Sequence, residues 1–416
     1  AGAARHRGAG AGAQGLTAMG RCIDGLCRGL EGLIALALAT MVVLVFGNVV
    51  LRYGFGGGVA ASEELSRLLF IWVVFIGATL AYRSGQQRST PLAWSETATA
   101  ATLAAPVLLR TVGRAAFGII ALVPLGGFIW VARLFATGVF ANGGEISAAF
   151  TWMPSANLNL EFRLDALAGL FSLIILGVGA LVLLYCWGYF DSNPRRLAKF
   201  GFELTFFATT MYGLVIADNF LLMYVFWELT SVLSYMLVSY YGERASSRRA
   251  AMQALMVTTF GGLAMLVGIN LLGYKAGIWK LSEVSQIADI ENTQAISAAI
   301  VLIMLGALTK SAQAPWHFWL PGAMAAPTPV SAYLHSAAMV KAGIYLVARL
   351  APDLSAVTTW HLVVLSTGGF TMLLGGWMAL KQQDLKLVLA YGTVSQLGFI
   401  ITVIGVGSRE ATMAGL

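Results

Sequence analysis

Four ionisable side chains stand in stretches apolar enough to lie inside a bilayer: Glu228 in DNFLLMYVFWELTSVLSYMLV, and Lys310, His335 and Lys341 between Leu308 and Leu350. A charge is costly to bury there and usually has a task. Glu228 lies ten residues from Asp218 and twelve from Tyr240, near the middle of its span. An acid and a base on separate helices could exchange a proton, and if they face each other they titrate as a coupled unit. His335, with an ordinary pKa near 6.5, suits reversible protonation. Each residue also has a plainer reading: a structural ion pair for Glu228, a snorkelling Lys310, a hydrogen-bonded filler histidine. Lys341 is six residues beyond His335, about 240° round a regular helix, and is not its same-face partner.

The elements that position these groups follow from the chain's apolar pattern. Pro315 lacks an amide hydrogen and crowds the carbonyl of Ser311, so the helix carrying Lys310 is expected to open just after it. Pro321, Pro327 and Pro329 extend the irregular stretch, and broken helices of this kind flank ion or substrate sites near the midplane. The lysine is therefore expected to meet water. Ser331, Ala338 and Ala342 put small residues on the His335 helix, where another helix can approach closely.

Spans of roughly 17 to 25 apolar residues are read near 32–51, 64–82, 114–136, 164–189, 201–217, 219–240, 250–273, 296–314, 330–350, 357–380 and 386–407. A weaker stretch covers 97–109. Their continuous apolar character favours helices over the alternation of a barrel, so the expected fold is an all-α polytopic bundle of about 11–12 spans with one discontinuous helix. Composition agrees: 58% hydrophobic residues, 11% charged and a mean hydropathy of +0.78 exclude an ordinary soluble domain. The net charge of +7 comes from short Lys and Arg clusters between spans, which points to membrane orientation and away from nucleic acid. Arg195, Arg196, Lys199, Arg244, Arg248, Arg249, Lys381 and Lys386 all fall on the cytoplasmic side of one consistent path, with 275–293 outside.

No metal or cofactor site is expected. Cys22, Cys27 and Cys186 are too scattered for a disulfide framework or a zinc site, and His6, His317, His335 and His361 lack ligand spacing. His317 sits among Trp316, Phe318 and Trp319, as at a membrane interface. Phosphate-loop, nucleophile-elbow and dinucleotide motifs are missing from the sequence, which argues against soluble enzymology.

Taken in order, LLLYCWGYF, ADNFLLMYVFWELTSVLSYMLV, RRAAMQALMVTTFGGLAMLVG, LTKSAQAPWHFWLPGAMAAPTPVSAYLHSAAMVKAGIYLVAR and DLKLVLAYGTVSQLGF resemble the A-type subunit of Mrp-type multisubunit sodium/proton antiporters. The superfamily includes antiporter-like subunits of respiratory complex I and membrane-bound hydrogenases, and the resemblance runs from about residue 92 to the end. It implies a proton path through Glu228, Lys310 and His335, with Lys386 near a later relay element and Lys341 as a possible addition. It further implies two inverted five-helix repeats, the first at 201–350 and the second starting within 351–416 and stopping after about two helices, with 90–200 as preceding antiporter-like helices.

Residues 31–89 resemble the first two helices of the small membrane subunit of TRAP-type solute transporters, through VVLRYGF, Glu63, Glu64, Arg67 and FIGATLAYR. A polar join falls at 84–96, and residues 1–30 read as a disordered tail and helix lead-in. Two partial families, a start without methionine and an Ala/Gly-rich opening favour a chimeric gene model or assembly over a true bifunctional fusion. The resemblance implies a cation (Na+)/proton antiporter subunit in a bacterial plasma membrane, partnered by other subunits, a monovalent cation and H+. Its alternatives are a proton-pumping subunit of a redox-driven respiratory or hydrogenase-like complex and a noncatalytic subunit of a TRAP importer.

Overall fold

The computed structural model describes residues 90–153, 157–190, 194–289, 294–354 and 357–407. The expected spans 32–51 and 64–82, the TRAP-like Glu63, Glu64 and Arg67, His6, Cys22 and Cys27 lie outside them. The chain divides into two units, residues 1–87 with 150–152, and residues 88–149 with 153–416. The second unit carries the candidate chemistry.

Its long helices are α1 (Thr90–Thr111), α2 (Ala116–Ala136), α3 (Ala166–Tyr189), α4 (Pro194–Ile216), α5 (Phe220–Val238), α6 (Ala245–Ala276), α7 (Gln294–Lys310), α8 (Met339–Leu354), α9 (Thr358–Leu380) and α10 (Leu385–Gly405). Among the described residues, seven helical stretches are long and apolar enough to cross a membrane. The protein is a multi-pass, predominantly helical membrane protein. Two strands, β1 (Ile146–Met153) and β2 (Leu158–Leu164), precede α3. They are an addition to the helical expectation: ISAAFTWM carries β-branched and aromatic residues, LNLEFRL alternates apolar with polar ones, and both are too short to span as helices.

Neighbouring antiparallel helices pack α1 on α4, α2 on α3, α4 on α5, α5 on α6, α6 on α7 and α9 on α10. Small residues set the closest approaches. A Cβ on Gly268 of α6 would fall 2.7 Å from the Ala299 carbonyl oxygen of α7, and one on Gly343 of α8 would fall 2.2 Å from that of Ala307. Leu362, Phe370, Leu373 and Trp377 of α9 are exposed, as apolar side chains facing lipid would be.

The break after Lys310 occurs where Pro315 places it. α7 ends at Lys310, and Ala312 adopts left-handed φ of 51°. Protein groups take up the freed backbone polarity: Trp319 Nε1 donates to the Thr309 carbonyl at 3.0 Å, Gln313 N to the Leu308 carbonyl at 2.9 Å, and Ala314 N to Thr371 Oγ1 at 2.9 Å. An irregular backbone persists at membrane depth only with such partners. Beyond it, Ser331–Ala337 forms a π-helical turn before α8. The wider winding there was invisible in the apolar pattern, and such turns frequently mark functional sites.

A polar layer closes the opposite end of the unit. Asp165 caps α3 by accepting from Ala168 N at 2.9 Å. Arg349 of α8 grips the same carboxylate with both terminal nitrogens, Nη2 reaching Oδ1 at 3.0 Å. Arg163 reaches Glu145 at 2.7 Å and Asp165 at 3.3 Å, and Lys280 reaches Glu161 at 3.3 Å. Burial pushes the Asp165 pKa up, but the hydrogen bond and charge of Arg349, the Ala168 amide and the Arg163 charge outweigh it and hold the carboxyl below the usual carboxylate range.

Candidate functional site

Lys310 ends α7 completely buried. Three acceptors on α5 surround its Nζ: the Trp227 carbonyl at 2.6 Å, Thr230 Oγ1 at 2.6 Å and Ser231 Oγ at 3.1 Å. The Trp227 ring faces the ammonium at 4.6 Å, a favourable cation–π distance. Protein groups therefore enclose the lysine where exposure to water was expected. The sequence pattern did not single out Thr230 and Ser231, although 227, 230, 231 and 234 recur at the spacing of one helical face.

Glu228 follows the carbonyl that Lys310 holds, yet its carboxylate lies on a different side of α5. Its Oε1 is buried without a hydrogen-bond partner. It sits so close to α6 that a Cβ added to Gly262 would lie 1.9 Å away. The carboxylate and the ammonium are not joined as an ion pair; the described ion pairs lie elsewhere. The acid and the ammonium thus sit on neighbouring faces of α5, within electrostatic reach of each other. Gly262 enters the site because only a residue without a side chain leaves room for the acid.

His335 lies in the π-helical turn and is 1% exposed, with neither ring nitrogen paired to protein. Its ring meets Trp319 edge-on at 6.2 Å. Trp319 in turn holds the Thr309 carbonyl beside Lys310, so one side chain links His335 to the backbone next to Lys310. Orphaned buried nitrogens of this kind are uncommon in folded proteins.

The other candidates stand apart. Lys386 is exposed at the start of α10, its Nζ 3.5 Å from the Ala326 carbonyl. Lys341 is half-buried on α8 and lines a small cavity with Leu170, Phe171, Ile174, Ile344 and Ile400. His317 is half-buried in the broken stretch. His361 bonds the Gly405 carbonyl through Nδ1 at 2.9 Å and ties α9 to α10.

Comparison with known proteins accounts for most of the chain. Residues 217–416 match the family described as NADH:quinone oxidoreductase/Mrp antiporter, transmembrane, and 152–201 match the complex I chain 5 N-terminus family. Residues 41–152 match the DctQ component of tripartite ATP-independent periplasmic transporters, a stretch running beyond the join read at 84–96. A Staphylococcus aureus (strain MRSA252) protein described as antiporter subunit mnhA2 is 49% identical over 64% of this chain and 33% of its own length. Its counterpart in strain MSSA476 is 48% identical over the same shares. The chain thus spans about a third of the length of the curated relatives it matches.

Two solved structures share the fold. The Mrp complex from Dietzia sp. DQ12-45-1b matches with a TM-score of 0.71 and 37% identity, covering 78% of this chain and 35% of that one. An archaeal membrane-bound sulfane sulfur reductase matches with a TM-score of 0.68 and 22% identity, covering 78% and 66%. Both structural matches are longer than the stretch from residue 152 onward, so the likeness of fold reaches into residues that the DctQ model also claims.

Proposed function

From the premise that residues 152–416 resemble the A-type subunit of Mrp antiporters and belong to the complex I antiporter family, we propose that this chain moves protons in a monovalent cation/proton antiporter. Protons step between Glu228, Lys310 and His335. The observation that carries the reading is the enclosed Lys310 ammonium, held by neutral oxygens of α5 and free of an ion pair, next to a buried acid.

An amine solvated by a carbonyl and two hydroxyls can lose its proton without leaving an oppositely charged partner stranded. Glu228, one residue along the same helix, is the nearest acid by sequence to that cradle. His335 offers two unpartnered nitrogens on the far side of Trp319. Lys386 and Lys341 serve as outlying members of the path, and 357–416 forms the start of a second inverted repeat. Other antiporter subunits complete the transport route, with sodium or another monovalent cation as counter-ion, in a bacterial plasma membrane.

The test replaces Lys310 with Ala in the assembled complex and follows sodium-dependent proton flux in membrane vesicles. Flux should vanish; unchanged flux removes the assignment. A redox-driven proton-pumping subunit is the second reading, favoured by the shared family with NADH:quinone oxidoreductase. A role beside a TRAP-type permease rests on residues 41–152. Copurified partners distinguish the three.

A further inference from the structure

The proton path just described leaves unused a buried acid at the basic end of the bundle. Glu203 on α4 is 2% exposed, and its Oε1 has no hydrogen-bond partner. Its ion-pair neighbour is Lys199, one turn back at 3.7 Å and largely exposed. Arg195, Arg196, Arg244 and Arg248 lie at the same end. A carboxylate this enclosed is far costlier than a surface i,i+4 pair can offset.

Its direction follows from one contact. Gly213 of α4 packs beneath Phe226 of α5, where a Cβ would fall 2.7 Å from the ring. At about 100° per residue from that contact, Glu203 and Thr210 sit roughly 80° and 60° round α4, while Thr230 and Ser234 sit roughly 40° and 80° round α5. The helices are antiparallel, so these rotations bring both sets to one side of the pair. Depth agrees: Glu203 is about 15 Å and Ser234 about 12 Å from the contact, both towards the basic end.

Lys310 occupies the same side, bonded to Thr230 and Ser231. Ser234 Oγ donates to the Ser231 carbonyl at 2.8 Å and continues the hydroxyl stripe outward. Thr210 Oγ1, on the Glu203 face, is buried and orphaned as well. Phe207, one turn from Glu203, meets Tyr333 edge-on at 5.6 Å and closes this side against the π-helical turn.

Resting on the proton-transfer reading above, we propose that Glu203 is the loading acid for Lys310, taking protons from the basic end and passing them along Ser234, Ser231 and Thr230. The carboxyl releases one proton to the nearest hydroxyl or intervening water. Each carrier gives up one proton as it accepts another, and the neutral Lys310 amine takes the last. Glu203 is recharged from solvent beside Lys199, so no other reactant is consumed.

The test measures proton flux in vesicles holding the complete complex. Glu203→Gln should slow flux about tenfold, Glu203→Asp should retain most of it, and Ser234→Ala should slow it severalfold. Sodium azide, a small mobile acid–base pair, should restore the Glu203→Gln rate but not that of Glu228→Gln. Wild-type flux in Glu203→Gln, or a loss that azide leaves untouched, overturns the loading role. If Lys310→Ala and Glu228→Gln also keep full flux, the underlying reading falls with it; if only they lose flux, that reading stands and Glu203 alone is rejected.

Discussion

Among the described residues, Lys310 is fully buried and the Arg349 side chain nearly so, and their surroundings differ in kind. Arg349 meets Asp165 through both terminal nitrogens and also donates to the Tyr345 hydroxyl at 3.0 Å, which itself reaches the Val215 carbonyl at 2.7 Å. Lys310 meets a carbonyl, two hydroxyls and a ring. A guanidinium never gives up its proton in a protein, whereas a lysine does so when buried. The arginine is built to stay charged and lock α8 to α3. In the proposed path the lysine's neutral partners let its charge come and go.

The sharpest way to break that contrast is to remove each charge while keeping its bulk. Lys310→Met should abolish proton flux while leaving thermal melting unchanged or raised, because an apolar replacement relieves a buried charge. Melting that collapses as flux disappears would make Lys310 a structural residue after all. Arg349→Met should do the reverse, costing about 3 kcal/mol because Asp165 loses its bidentate partner and keeps only Arg163 and the Ala168 amide, measured as a fall in unfolding midpoint in detergent. A loss under about 1 kcal/mol would reduce the clamp to a surface pair.

A subtler change tests the acid's position. Gly262→Ala puts a methyl group where Glu228 Oε1 now lies, and the displaced carboxylate should cut flux about tenfold, or about 1.4 kcal/mol in barrier terms. Retained flux would show that the site tolerates another Glu228 position. The clamp should also be sensitive to acid. Asp165 titrates lower folded than unfolded, so its contribution is complete above about pH 4 and is lost as pH falls through the folded pKa. Below about pH 4, wild-type melting should therefore fall more steeply than that of Asp165→Asn. Parallel curves would contradict the assignment. The smallest effect belongs to the break: Ala312→Gly relieves the left-handed backbone and should stabilise by up to about 1 kcal/mol. A loss of stability there would mean that the methyl group's packing outweighs the strain.

Much of this arrangement was written into the chain. Apolar runs located every long helix among the described residues, because a span must bury or expose roughly twenty apolar residues whatever its neighbours do. Pro315 marked the end of the Lys310 helix, since a missing amide and a bulky ring act locally. The rarity of charge in those runs made Glu228, Lys310 and His335 conspicuous, whereas the pattern did not single out Glu203, because it follows a basic cluster of Arg195, Arg196 and Lys199 in the sequence.

What the tertiary structure alone decided is which face meets which. Residue type told that an acid and an amine were buried, but the rotation of α5 turned Glu228 towards Gly262 and gave Lys310 to Thr230 and Ser231. The partnership of Asp165 with Arg349, 184 positions apart, and the π-helical winding around His335 were equally out of reach. Chain-local rules set where a helix starts and stops. Helix rotation and long-range pairing are settled by packing, where small residues let backbones close and every buried polar atom competes for the partners left.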